Sequence, residues 1–140
     1  MGCQEEGEAV SLATAVAWTI AVIAGIYLLS YWLTGDGPHR AKVTRLPAVL
    51  VVSHPALAVT ALACWAGGLI TGSRALVWAA FAGLAATALL GFAMFTRWLG
   101  AGRHTTAARG FPALAVTLHG VAGVTAFTLV FLSAGAARLF

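Results

Sequence analysis

An imidazole binds metals through a neutral ring nitrogen and changes charge nearer neutral pH than any other side chain, so a histidine in apolar sequence is a natural place to look for chemistry. Two qualify. His54 lies in "LPAVLVVSHPALAVTALA" (46–63) and His119 in "FPALAVTLHGVAGVTAF" (111–127), 65 positions apart. Each follows a proline, Pro47 or Pro112, by seven residues. No Asp or Glu occurs after Asp36. Residue content therefore excludes a carboxylate proton relay and a carboxylate-bearing metal site, leaving two nitrogen ligands of one kind. The remaining histidines, His39 and His104, are also 65 apart, each 15 residues before a deep one.

That common interval is an internal repeat. Residues 35–61 laid over 100–126 agree at ten of 27 positions, including His39/His104, Pro47/Pro112 and His54/His119. In a chain this rich in Ala, Gly and Val, chance gives on the order of three matches. All four histidines of the chain pair with one another, as do two of its four prolines.

The elements that position these residues follow from composition. Of 140 residues, 61% are hydrophobic and 9% charged, with a mean hydropathy of +0.93. A water-soluble domain of this size needs more charge on its surface. Four apolar stretches, near Val10–Trp32, Leu46–Ile70, Ala75–Leu99 and Phe111–Ala134, are each long enough to cross a bilayer as helix, which takes about 20 residues. The expected fold is all-α. It is a polytopic membrane protein of four transmembrane helices, one domain over 1–140, built as two tandem repeated hairpins (about 10–70 and 75–134) in a four-helix bundle after a polar tail, 1–9. The first stretch is too long, and its flank too acidic, for a cleaved signal peptide.

Basic residues set the expected orientation. Arg40, Lys42 and Arg45 follow the first stretch, and Arg97, Arg103 and Arg109 follow the third. The middle loop has only Arg74, and the N-terminus carries Glu5, Glu6 and Glu8. The Lys/Arg bias places the first and third loops in the cytoplasm and both termini outside. Trp65 and Trp78 then belong to an outer aromatic belt and Tyr31, Trp32 and Trp98 to an inner one, with Trp18 a packing residue. The charge of +4 is split over two loops without interleaved aromatics, which argues against nucleic acid. Arg outnumbers Lys seven to one, a composition that suggests a bacterial source and hence the inner membrane. Cys3 and Cys64 make no disulfide framework. Glu6 stands where a myristoylation signal needs Ser or Thr. "GLITG" (68–72) falls at a helix end and reads as an approach to a turn.

An even number of crossings separates the two copies, so they share one orientation, related by a pseudo-twofold axis along the membrane normal. His54 and His119 then lie at one depth, about 10 Å past their prolines, and face one another. One intramembrane histidine can be hydrogen-bonded packing between helices. Two at matched depth, with no other ligand type near, suit haem b, whose iron takes two axial nitrogens and whose macrocycle is apolar. Zinc needs three or four protein ligands. The residues beside the pair are mostly small: Ala115, Val116, Ala122, Gly123 and Ala126 around His119, and Leu50, Val51, Leu57, Ala58 and Ala61 around His54; they leave space for a flat ring or simply let membrane helices approach closely. Arg45 and Arg109 lie nine and ten residues before the histidines, placed to meet haem propionates, although the orientation rule alone accounts for them. His39 and His104, in Gly-rich loops, form a candidate secondary surface site.

Paired histidines on alternate helices of a four-helix membrane protein resemble the small membrane b-type cytochromes. These include the cytochrome b561-like proteins and the haem-bearing anchors of respiratory dehydrogenases. The resemblance is architectural, covers about residues 10–134 and rests on His54 and His119. It implies electron transfer between a quinone and a redox partner protein, as a subunit of an oxidoreductase rather than a stand-alone enzyme. The b561-like pattern has two haems on four helix-borne histidines. The first and third helices here carry none, so one deep site at most carries over. The alternative is a cofactor-free accessory or transport subunit whose paired histidines are structural or proton-sensitive.

Overall fold

The computed structural model describes residues 2–34, 47–102 and 112–136. Within them the chain is all-helical: α1 spans Gly2–Thr34, α2 Ala48–Thr71, α3 Arg74–Gly102 and α4 Ala113–Ala136. All four are long and apolar enough to cross a membrane. Inside hydrocarbon every backbone N–H and C=O needs a partner from the segment itself, and a continuous helix supplies it. The chain is a multi-pass membrane protein in a lipid environment. Its outward faces carry large apolar side chains such as Ile23 and Ile26 of α1, Val52 and Val59 of α2, Leu89 and Phe92 of α3, and Val121 and Val124 of α4. Such faces would aggregate in water and are solvated by acyl chains.

The boundaries follow local chemistry. α1 reaches back to Gly2 through the acidic residues expected to form a tail, since Glu is a good helix former and negative charge is favourable at a helix N-terminus. Pro47 is the N-cap of α2, with φ −60° and ψ 135°. Pro112 directly precedes α4 and its carbonyl accepts the Val116 N–H at 3.1 Å. A second proline, Pro55, sits inside α2 immediately after His54 and has no N–H to donate to the preceding turn.

The α2–α3 connection is the turn that "GLITG" suggests. Gly72 ends α2 in the left-handed region at φ 66°, and the Ser73 N–H returns to the Gly68 carbonyl at 3.1 Å. Gly68 is itself buried, and a Cβ there would stand 2.7 Å from Val77 Cγ2, so glycine lets the two helices meet at the turn. Gly72→Ala is expected to cost about 1–2 kcal/mol through left-handed strain. That loss would appear as a lower thermal midpoint in detergent by circular dichroism.

The packing has a definite pattern. α2 packs chiefly on α3 and α1 chiefly on α4, α3 also meets α4, and α1 and α2 barely touch. Near the end where α1 and α3 begin, one apolar cluster draws on all four helices: Ala17 and Trp18, Ala61 and Trp65, Ala80 and Leu84, Ala126 and Val130. Near the other end Trp32 of α1 packs with Val51 of α2, joined by Leu29 and Met94. Trp18 is thus a packing residue. Trp32 and Trp65, expected in the belts, are buried within the protein, Trp65 in a cluster with Ala17, Ala80 and Ala126 of the other helices and Trp32 against Val51, Leu29 and Met94, since hydropathy does not register which face of a helix a ring occupies. His54 lies between the two clusters along α2, and His119 precedes the α4 residues of the first cluster.

Candidate functional site

Hydroxyls in the helices fold back on their own backbone. Thr14 donates to the Val10 carbonyl at 2.7 Å and Thr87 to the Gly83 carbonyl at 2.8 Å, the usual way for Thr to be satisfied in hydrocarbon. The two imidazoles instead reach a neighbouring helix. His54 Nδ1–H donates to the Thr87 carbonyl of α3 at 3.0 Å. His119 Nδ1–H donates to the Ala21 carbonyl of α1 at 2.8 Å. A carbonyl oxygen can only accept, so the proton of each neutral ring is on Nδ1 and the lone pair on Nε2.

A helical carbonyl is normally engaged by the N–H four residues on and screened by that residue's side chain. Four residues beyond Ala21 is Gly25, and four beyond Thr87 is Gly91. Each glycine opens the approach to the carbonyl and seats the ring. A Cβ on Gly25 would lie 3.1 Å from His119 Cε1 and 3.3 Å from Nδ1, and one on Gly91 would lie 3.1 Å from His54 Cε1 and 3.6 Å from Nδ1. The Nδ1–Cε1 edge of each imidazole therefore rests against the adjacent helix, and the edge bearing Nε2 is turned away from it.

The rings come together. Their centroids are 5.9 Å apart with an interplanar angle of 64°. Two imidazoles on opposite sides of one metal, each bonded at about 2 Å, have centroids about 6 Å apart. The separation, the tautomer and the Nδ1 anchors all fit axial ligation, in which the second nitrogen donates to a carbonyl that fixes ring orientation and raises ligand basicity. Ala122, three residues from His119, is buried, and Ala61 and Ala126 are buried in the apolar cluster seven residues beyond each histidine. Among the described residues no three His, Cys, Asp or Glu cluster to hold a metal. Cys64 is a free, partly buried thiol.

Of the residues singled out by sequence, His54 and His119 are brought together. Arg45, Arg109, His39 and His104 lie outside the described residues. Gly25 and Gly91 were missed. The signal that could have found them is a second interval: Gly25/Gly91, Trp32/Trp98 and Leu33/Leu99 are each 66 apart, one more than the histidine interval.

Comparisons with protein-family models, curated proteins and solved structures find no match for the chain.

Proposed function

We propose that the protein is a membrane haem-b electron carrier, holding one haem between α2 and α4 with His54 and His119 as axial ligands. The observation that carries this reading is the matched pair of imidazoles 5.9 Å apart, each with Nδ1 tied to a carbonyl of the adjoining helix. In hydrocarbon a single such hydrogen bond would serve as packing. Further support is that the two rings, on different helices, are seated alike by Gly25 and Gly91 and lie within one metal's span.

In this reading the chain is a duplicated pair of crossings, α1–α2 and α3–α4, whose four helices form one bundle, set in the cell membrane with both termini outside. Bound haem supplies a one-electron couple in an apolar setting. The protein's own part is to keep Nε2 of both rings unprotonated, fix their orientation through Ala21 and Thr87, and exclude water with the apolar clusters on either side. Arg45 and Arg109 are assigned to the propionates, and His39 and His104 to a secondary surface site. A quinone and a redox protein are the expected electron partners, with the chain acting as a subunit of an oxidoreductase.

The test is optical. Full-length protein, expressed with ample haem and purified in detergent, is expected to show a Soret band that shifts and sharpens on dithionite reduction, with the two visible bands of a six-coordinate b haem. Colourless protein that takes up no added haem overturns the reading and leaves the paired histidines as packing in a cofactor-free membrane subunit.

A further inference from the structure

Among the described residues four buried indole nitrogens, those of Trp18, Trp32, Trp65 and Trp98, have no hydrogen-bond partner. An N–H left unpaired in hydrocarbon is costly. Two of the four occupy special positions. Trp32 stands seven residues beyond Gly25 and Trp98 seven beyond Gly91. Seven residues is about two turns, so each indole shares a helix face with the glycine that seats an imidazole, about 10 Å further along. Helical side chains lean toward the N-terminus of their own helix, which inclines both indoles back toward the level of the histidines. Trp32 is only 5% exposed and packs against Val51, one turn before His54. It lies on the side of the histidine pair where α2 begins.

We propose that Trp32 and Trp98 donate their indole N–H groups to the carboxylate arms of the tetrapyrrole held by His54 and His119; this rests on the haem reading above. A porphyrin's carboxylate arm reaches about 10 Å from the central metal, comparable to the rise of seven helical residues. The acceptor is thus an anionic oxygen, the partner that gives a buried N–H its strongest hydrogen bond. Trp18 is also seven residues from Gly25, but on the other side, and leans away from the site.

The experiment titrates full-length protein in detergent with haem b and with its dimethyl ester, which lacks the carboxylates. Wild type is expected to prefer the free acid by roughly tenfold or more, the effect of a charge-assisted hydrogen bond. Trp32→Phe and Trp98→Phe delete the N–H and keep an aromatic ring. Each should narrow that preference while leaving ester affinity unchanged, and ester affinity doubles as a check on folding. Trp18→Phe should keep the full preference. Retention of the wild-type preference in both Trp32→Phe and Trp98→Phe overturns the indole assignment and leaves the haem reading intact. An equal loss in Trp18→Phe overturns the placement. If Trp32→Phe loses both ligands, Trp98→Phe decides. Wild type that binds neither porphyrin overturns both proposals.

Discussion

Alanine at His54 or at His119 is expected to abolish the six-coordinate haem spectrum, with haem affinity falling by more than about 100-fold. Loss of a residue that merely orients a metal ligand costs about 10–100-fold, and loss of the ligand itself should exceed that. The protein should survive the change. Each imidazole makes one hydrogen bond to its neighbouring helix, and such bonds between membrane helices are worth about 0.6 kcal/mol on average. Circular dichroism should therefore show wild-type helicity in a variant that has lost its colour. The two substitutions should also behave alike, since the rings are held in the same way. A variant that keeps the wild-type reduced spectrum rules out that histidine as a ligand.

The second large effect is expected at two residues with no functional group. At Gly25 and Gly91 an added methyl would stand 3.1 Å from an imidazole carbon, closer than ordinary contact, and would begin to screen the carbonyl that orients the ring. Gly25→Ala and Gly91→Ala should each weaken haem retention about 10–100-fold, the range for losing a ligand's orienting partner, with valine worse than alanine. Gly120→Ala is the control. Gly120 directly follows His119 and is exposed, and an added Cβ there meets nothing within 4 Å. Haem dissociation measured by transfer to apomyoglobin separates the cases. Equal rates for Gly25→Ala and Gly120→Ala would remove Gly25 from the site.

How much of this could be read from the chain alone depends on the rarity of the residue. Four helices follow from hydropathy, because lipid admits few other structures. The histidine pair stands out because imidazoles are scarce here and their spacing recurs. Gly25 and Gly91 do not stand out among 16 glycines, and their interval differs by one from that of the histidines. Their role depends on a carbonyl four residues earlier and a ring from another helix, which no local pattern encodes. Trp32 and Trp65 were misjudged for a related reason. Position near a helix end suggests an interface, but facing inward is a matter of packing. Proline marked the starts of α2 and α4 well, since its effect is confined to the backbone beside it.

Because α1 pairs with α4 and α2 with α3, the two imidazoles become anchored at different moments in the life of the chain. His54 finds its carbonyl 33 residues downstream, as soon as the central hairpin closes. His119 must find one 98 residues upstream, so α1 waits for its partner until α4 has entered the bilayer. A nascent chain halted between α3 and α4 would carry one anchored imidazole and an unclaimed α1. Entry of α4 is thereby the step that brings the two rings together.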